Sequence, residues 1–159
     1  MLRTDHVVFP VWDAEASLAF YADLLGLPLV GAHEGDDWGG KPWLMMAFGL
    51  GDGRELVLVA LRGAEPPPDS GLAADVRHYA FSVDTASEHA AWKARLLTAR
   101  VDFWEEDHGD QQSIYFSDPN GVVLEITTPP SAAASVASPA ARKAAERWIA
   151  ETATLALTP

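Results

Sequence analysis

The sequence predicts an α+β protein: two tandem βαβββ modules followed by a C-terminal helix. Three observations carry this prediction. The order strand, helix, strand, strand, strand occurs twice along the chain. DHVVFPV in the first copy aligns with RHYAFSV in the second, which puts His6 and His78 in equivalent positions. MAFGLGDGRELVLV aligns with IYFSDPNGVVLEIT, which sets Val57 opposite Glu125. One helix covers a sheet poorly, so two modules bury more together than either could alone.

The elements follow in order. Asp5 to Val11, rich in Val with Phe and His, reads as the first strand. Asp13 is placed to cap a helix, along which Leu18, Tyr21, Ala22 and Leu25 recur at helical spacing until Gly26 stops it. A short strand over Leu27 to Val30 and a polar loop over His33 to Lys41 come next. Trp43 to Phe48 and Glu55 to Leu61 are strands joined around the turn GLGDG. The first module thus spans residues 1–62. Residues 63–75 contain Pro66 to Pro68 and read as a stiff linker.

The second module spans residues 76–130. Arg77 to Val83 is its first strand, and Asp84 or Thr85 caps a helix with Trp92, Leu96 and Ala99 on one stripe. Val101 to Trp104 is a strand and Glu105 to Asp110 an acidic loop. Ser113 to Phe116 and Gly121 to Thr127 are strands around the turn SDPNG. Residues 131–159 lie outside the repeat, within the same domain. Small residues to Ala137 form a linker, and Ser138 and Pro139 open a helix as N-cap and first residue. Its stripe of Ala144, Trp148, Thr152 and Leu155 suits packing on its own domain; the alternative is docking to a second subunit.

Composition narrows the function. The chain has 159 residues, 48% of them hydrophobic and 21% charged, an ordinary globular balance. Its net charge of −12 argues against a nucleic-acid partner, which requires clustered positive charge. No apolar run is long enough for a membrane span or a signal peptide. There is no cysteine, which excludes thiolate catalysis, disulfides and Cys-based zinc sites. A cytoplasmic protein is the expectation.

Strand alternation sorts the side chains that could do chemistry. The bulky apolar faces belong under the helices, and His6, His78 and Glu125 then fall on the opposite, open faces. Two neutral imidazoles and one carboxylate suit a divalent metal with open coordination positions. A Glu within VVLEITT is costly to bury unless paired or metal-bound. Each of the three alone would equally suit a satisfied polar residue near a sheet end. Gln111, Ser113 and Tyr115 alternate onto the face of Glu125. A tyrosine hydroxyl there could donate a proton or hold an oxyanion, or could simply cap the cup edge. Trp43 and Met45 take matching positions in the first module, either lining an apolar, aromatic wall for a hydrophobic ligand or belonging to the core. The loop from His33 and the acidic loop containing His108 read as solvated charge rather than a second metal site. His89 receives no role, and GLGDG lacks the following helix of a dinucleotide site.

These residues carry a family resemblance. The segments DHVVFPVWDAEASLAFYADLLGLPLV, RHYAFSVD and SIYFSDPNGVVLEI resemble the vicinal oxygen chelate superfamily, which includes glyoxalase I, extradiol dioxygenases, fosfomycin-resistance enzymes and bleomycin-binding proteins. The resemblance runs from about Leu2 to Thr127 and leaves the tail unmatched. It implies a cupped, mixed sheet around a metal (Fe, Mn, Ni or Zn) held by His6, His78 and Glu125, and it implies frequent homodimers. It also implies that Ser113 and Tyr115 touch substrate. Glyoxalase-like members carry a second carboxylate where this chain has Val57, which cannot ligate. Glu55 lies two residues earlier on the same face, where a bulge would bring it to the metal; otherwise it is an exposed strand-start carboxylate. The expected activity is a glyoxalase- or dioxygenase-like reaction on a small oxygen-bearing substrate, with Tyr115 or Glu55 handling protons. The alternative is a metal-free antibiotic- or metabolite-binding protein of the bleomycin-resistance type.

Overall fold

The computed structural model describes residues 3–68, 71–130 and 137–155, with side chains of the last helix described to residue 150. In chain order these are β1 (His6–Val11), α1 (Ala14–Leu18), β2 (Leu29–Gly35), β3 (Trp43–Gly49), β4 (Glu55–Leu61), β5 (His78–Ser82), α2 (Ala86–Ala99), β6 (Phe103–Asp107), β7 (Gln112–Ser117), β8 (Val123–Thr128) and α3 (Pro139–Leu155). The strands form two four-stranded sheets of identical plan, ordered β1-β4-β3-β2 and β5-β8-β7-β6. β1 runs parallel to β4 and β5 to β8, while the remaining pairs are antiparallel. The α+β class and the duplicated element order therefore hold. Register confirms the internal alignment: Val8 pairs with Val57 and Ala80 with Glu125.

Asp13 caps α1, accepting from the Ala16 amide at 2.9 Å. The expected single α-helix to Gly26 instead widens after Leu18 into a π-helical stretch, Ala19–Leu24. The wider turn lets the consecutive Phe20 and Tyr21 both face the core. Gly26, at φ +71°, ends it. Thr85, not Asp84, caps α2, and Glu88 reaches back to complete a capping box.

Two strands differ from expectation. β2 begins at Leu29 and runs through His33 and Glu34 to Gly35, residues expected in a loop. β6 starts at Phe103 and continues through Glu105, Glu106 and Asp107, which were expected in the acidic loop. Both are edge strands, paired on one side only. One flank of each stays in water, where polar side chains are tolerated.

The helix-side faces of the two sheets merge into one core. Phe9, Phe20, Tyr21, Phe48 and Leu58 of the first module pack with Leu96, Ile114, Phe116 and Leu124 of the second. The SDPNG turn ties the modules together. Asn120 Oδ1 accepts from the Trp12 amide at 2.7 Å, and Asn120 Nδ2 donates to Ser17 Oγ at 2.8 Å. The Tyr21 hydroxyl donates to buried Asp118 at 3.0 Å, and burial with that carboxylate pushes the Tyr21 pKa upward.

α3 forms as expected, but its described side chains are exposed, with Trp148 at 64%. The expected packing of its stripe on the domain is not observed for Ala144 or Trp148, while the side chains of Thr152 and Leu155 lie outside the described residues. No helix of the described residues is long and apolar enough to cross a membrane.

Candidate functional site

Since Leu124 and Ile126 point into the core, Glu125 projects from the open face of β8. β8 is central in its sheet, and Glu125 is only 7% exposed. A carboxylate this buried requires partners, and three side chains supply them. The Ser113 hydroxyl donates to Glu125 Oε1 at 2.5 Å, and Ser113 Oγ lies 3.1 Å from Thr127 Oγ1. His78 Nε2 lies 3.0 Å from Glu125 Oε2. Tyr115 stands beside them, its ring edge-on to His78 at 5.4 Å. Burial and the Glu125 charge push the Tyr115 pKa up to about 12, so the phenol stays protonated at neutral pH.

The His78 ring is fixed from behind. The short 3-10 turn Ala74–Val76 brings the Asp75 carbonyl to 2.6 Å from His78 Nδ1. A carbonyl can only accept, so Nδ1 carries the proton. A neutral imidazole then turns its Nε2 lone pair toward a carboxylate oxygen. Two acceptors this close need something shared between them, either a proton or a metal ion. A backbone carbonyl behind a ligating imidazole is also the usual outer support of a metal site. The donor set therefore fits a divalent cation.

The third candidate ligand is elsewhere. His6 is exposed on the open face of β1 and bonds Asp5 through Nδ1 at 2.7 Å. Among the described residues no cluster of three metal-ligating side chains occurs. The structure thus brings together two of the three expected ligands. Because both sheets turn their helix-side faces to one core, their open faces sit on its outer sides.

The other expected site residues are placed as follows. Ser113 and Tyr115 are buried on the open face of β7. Gln111 precedes β7 and donates through Nε2 to the Pro129 carbonyl at 2.8 Å. Glu55 is exposed at the start of β4, in register with His6. Met45 is half-buried on the open face of β3, in register with His33 and Val59. Trp43, at the strand start, lines a cleft of about 600 Å³ with Trp12, Glu34 and Arg62, away from Glu125.

Three neighbours were not among the expected site residues: Trp104 and Glu106 on β6, and His108 just beyond it. Trp104 stacks on Tyr115 at 5.2 Å and 14°. Glu106 accepts from the Trp104 indole at 3.1 Å. His108 Nε2 lies 3.1 Å from the Tyr115 hydroxyl. Extending the alternation of Trp104 by two residues would have found Glu106, whereas nothing local marks His108.

The glyoxalase/bleomycin resistance protein/dioxygenase superfamily model matches residues 3–126. The chain belongs to this superfamily. The glutathione transferase FosA of Serratia marcescens is 31% identical over 127 residues, covering 77% of each protein. A glyoxalase/bleomycin resistance protein/dioxygenase domain from Frankia sp. EAN1pec shares the fold at TM-score 0.65 and 22% identity, covering 80% of this chain and 97% of its own. So does the Listeria monocytogenes fosfomycin resistance protein FosX, at TM-score 0.62 and 17% identity, covering 82% and 94%. FosX was solved as a Glu-to-Gln mutant with Mn(II) and 1S,2S-dihydroxypropylphosphonic acid. The relatives that share the superfamily fold thus include an enzyme, the transferase FosA, and a protein solved with a small molecule bound, FosX.

Proposed function

We propose that this superfamily member is a metal-dependent enzyme acting on a small oxygen-bearing substrate, and that its centre is completed between two copies of the chain. The observation that carries the reading is the His78–Glu125 pair, two acceptors facing one another at 3.0 Å with the imidazole proton committed to Asp75. His78 and Glu125 of one copy and His6 of the other would hold the ion. The outward placement of the open faces supports the second copy, since a symmetric dimer can set one against the other. When bound, a divalent metal supplies Lewis acidity toward a substrate oxygen. Fe, Mn, Ni and Zn all suit a ligand set of nitrogen and oxygen.

The chain's own residues would then do the following work. Ser113 holds the Glu125 carboxylate in one orientation. Tyr115, protonated at neutral pH, faces the same space and donates a hydrogen bond or a proton to a developing oxyanion. Glu55, beside His6, is the base available from the opposite wall. Trp104 and Met45 supply apolar and aromatic surface for a hydrophobic substrate and Gln111 a polar edge, while Trp43 lines its own cleft. The metal-free sequestering alternative would have a proton rather than a metal ion join His78 Nε2 to Glu125 Oε2.

Mixing two inactive variants provides the test. His6→Ala and Glu125→Ala homodimers should each bind no metal. After subunit exchange, heterodimers regain one intact site of two, restoring about a quarter of the wild-type metal content in a statistical mixture. A wild-type protein that takes up no divalent metal would reject the enzyme reading. Wild-type metal content without any recovery on mixing would reject the shared centre.

A further inference from the structure

Among the described residues, lysine and arginine are absent from all eight strands, although the sequence has 11 of them. Those in loops and helices are mostly engaged at a distance from Glu125. Lys93 bonds Glu105 on the helix side of β6, Arg95 donates to the Asp23 carbonyl, and Arg54 is held by Asp52 and the Thr4 carbonyl. Lys41 donates to the Gly63 carbonyl, and Arg62 lines the separate cleft. Arg77 adjoins His78, but its extended backbone sends the two side chains to opposite faces.

The same open faces carry carboxylates. Glu106 is in register with Ser113 and Glu125 is in the site itself. Glu55 lies beside His6. A bound dication leaves these faces negative overall. Trp104 is 38% exposed and backed by the Tyr115 ring, so it presents a flat outer face to whatever enters.

We infer that the site selects a ligand that carries no negative charge as it enters and presents a flat ring to Trp104. The inference rests on the reading of the open faces as the binding cup, and it separates this chain from relatives that take phosphonates. An anionic head group would find three carboxylates and, on the strands of the described residues, no lysine or arginine. A neutral aromatic ligand loses nothing to that field and gains stacking on Trp104. A cationic one gains further.

Catechol and 1S,2S-dihydroxypropylphosphonic acid offer the same pair of vicinal hydroxyls and differ in ring and charge. Their affinities, measured by calorimetry on full-length metal-free and Mn(II)-loaded protein, test the inference. Catechol should bind at least about tenfold more tightly. Trp104→Ala should weaken catechol by about three- to tenfold and leave the phosphonate unchanged. Glu106→Lys should strengthen the phosphonate by about tenfold. A phosphonate that binds wild type as tightly as catechol, or that gains nothing from Glu106→Lys, overturns the inference. Failure of the protein to take Mn(II) would count against the metal reading alone, because the ranking on metal-free protein still decides the charge preference.

Discussion

The first and second modules follow one backbone plan and carry different cargo. In β8 every residue is buried, Glu125, Thr127 and Thr128 included. In β4 the equivalent open-face positions hold Val57 and Val59. The second module has a carboxylate held by a serine, an imidazole oriented by a carbonyl, and a tyrosine kept neutral. The first has an exposed imidazole on an apolar wall. A duplicated scaffold has thus concentrated its buried polar network in one half, where the sheet centre is rigid enough to hold it. The other half carries apolar surface, with His6 and Glu55 exposed at its strand starts.

The largest test of this asymmetry is at the carboxylates. Glu125→Ala should reduce metal affinity by more than about a hundredfold, whereas Glu55→Ala should leave metal stoichiometry unchanged. Elemental analysis after dialysis reads both. Equal losses would make Glu55 a fourth ligand and the two modules more alike.

The contact between modules comes next. Asp118 accepts from the Tyr21 hydroxyl, from Asn120 Nδ2 and from the amides of Asn120 and Val122. Asp118→Ala strands these buried donors and should cost about 3 kcal/mol in denaturant unfolding. Asn120→Ala should cost about 1–2 kcal/mol. If the halves then melted in two steps, the shared core would be weaker than its composition implies.

Tyr115 gives a smaller effect with a definite sign. Its pKa rises from 10.0 to about 12 on folding, so the folded protein holds the proton that the unfolded chain releases. The stabilisation is complete below pH 10 and is lost as pH rises from 10 to about 12. In metal-free Tyr115→Phe, the alkaline decline in stability over that window should flatten by up to about 2–3 kcal/mol. The smallest contrast is at the helix starts. Thr85→Ala removes a reciprocal capping box and Asp13→Ala a single cap, and thermal unfolding should register about 1 kcal/mol for the first and slightly less for the second.

Much of this organisation was legible in the sequence, for identifiable reasons. Central strands alternate cleanly because one face meets the core, so Val7, Phe9, Leu124 and Ile126 marked the buried side and His6 and Glu125 the open side. The caps at Asp13 and Thr85 are short-range chemistry and could be read locally. The edge strands β2 and β6 could not, because pairing rather than burial holds Glu34 and Glu106 in them. The π-helical widening was hidden because it depends on two adjacent aromatics both meeting the core. The separation of His6 from His78 and Glu125 was hidden as well, since alternation assigns a face and not the direction in which that face looks.

The parallel pairing of β1 with β4 and of β5 with β8 bears on how the chain is made. In each module the strand synthesised last is inserted between two strands that were made earlier. β5 therefore has no ladder to join until β8 has left the ribosome, and the most distant contacts within the module close last. Glu125 travels on that final strand. A chain stopped before residue 123 would lack the buried carboxylate and also the centre of its second sheet, so the polar cluster and the fold are completed by the same six residues.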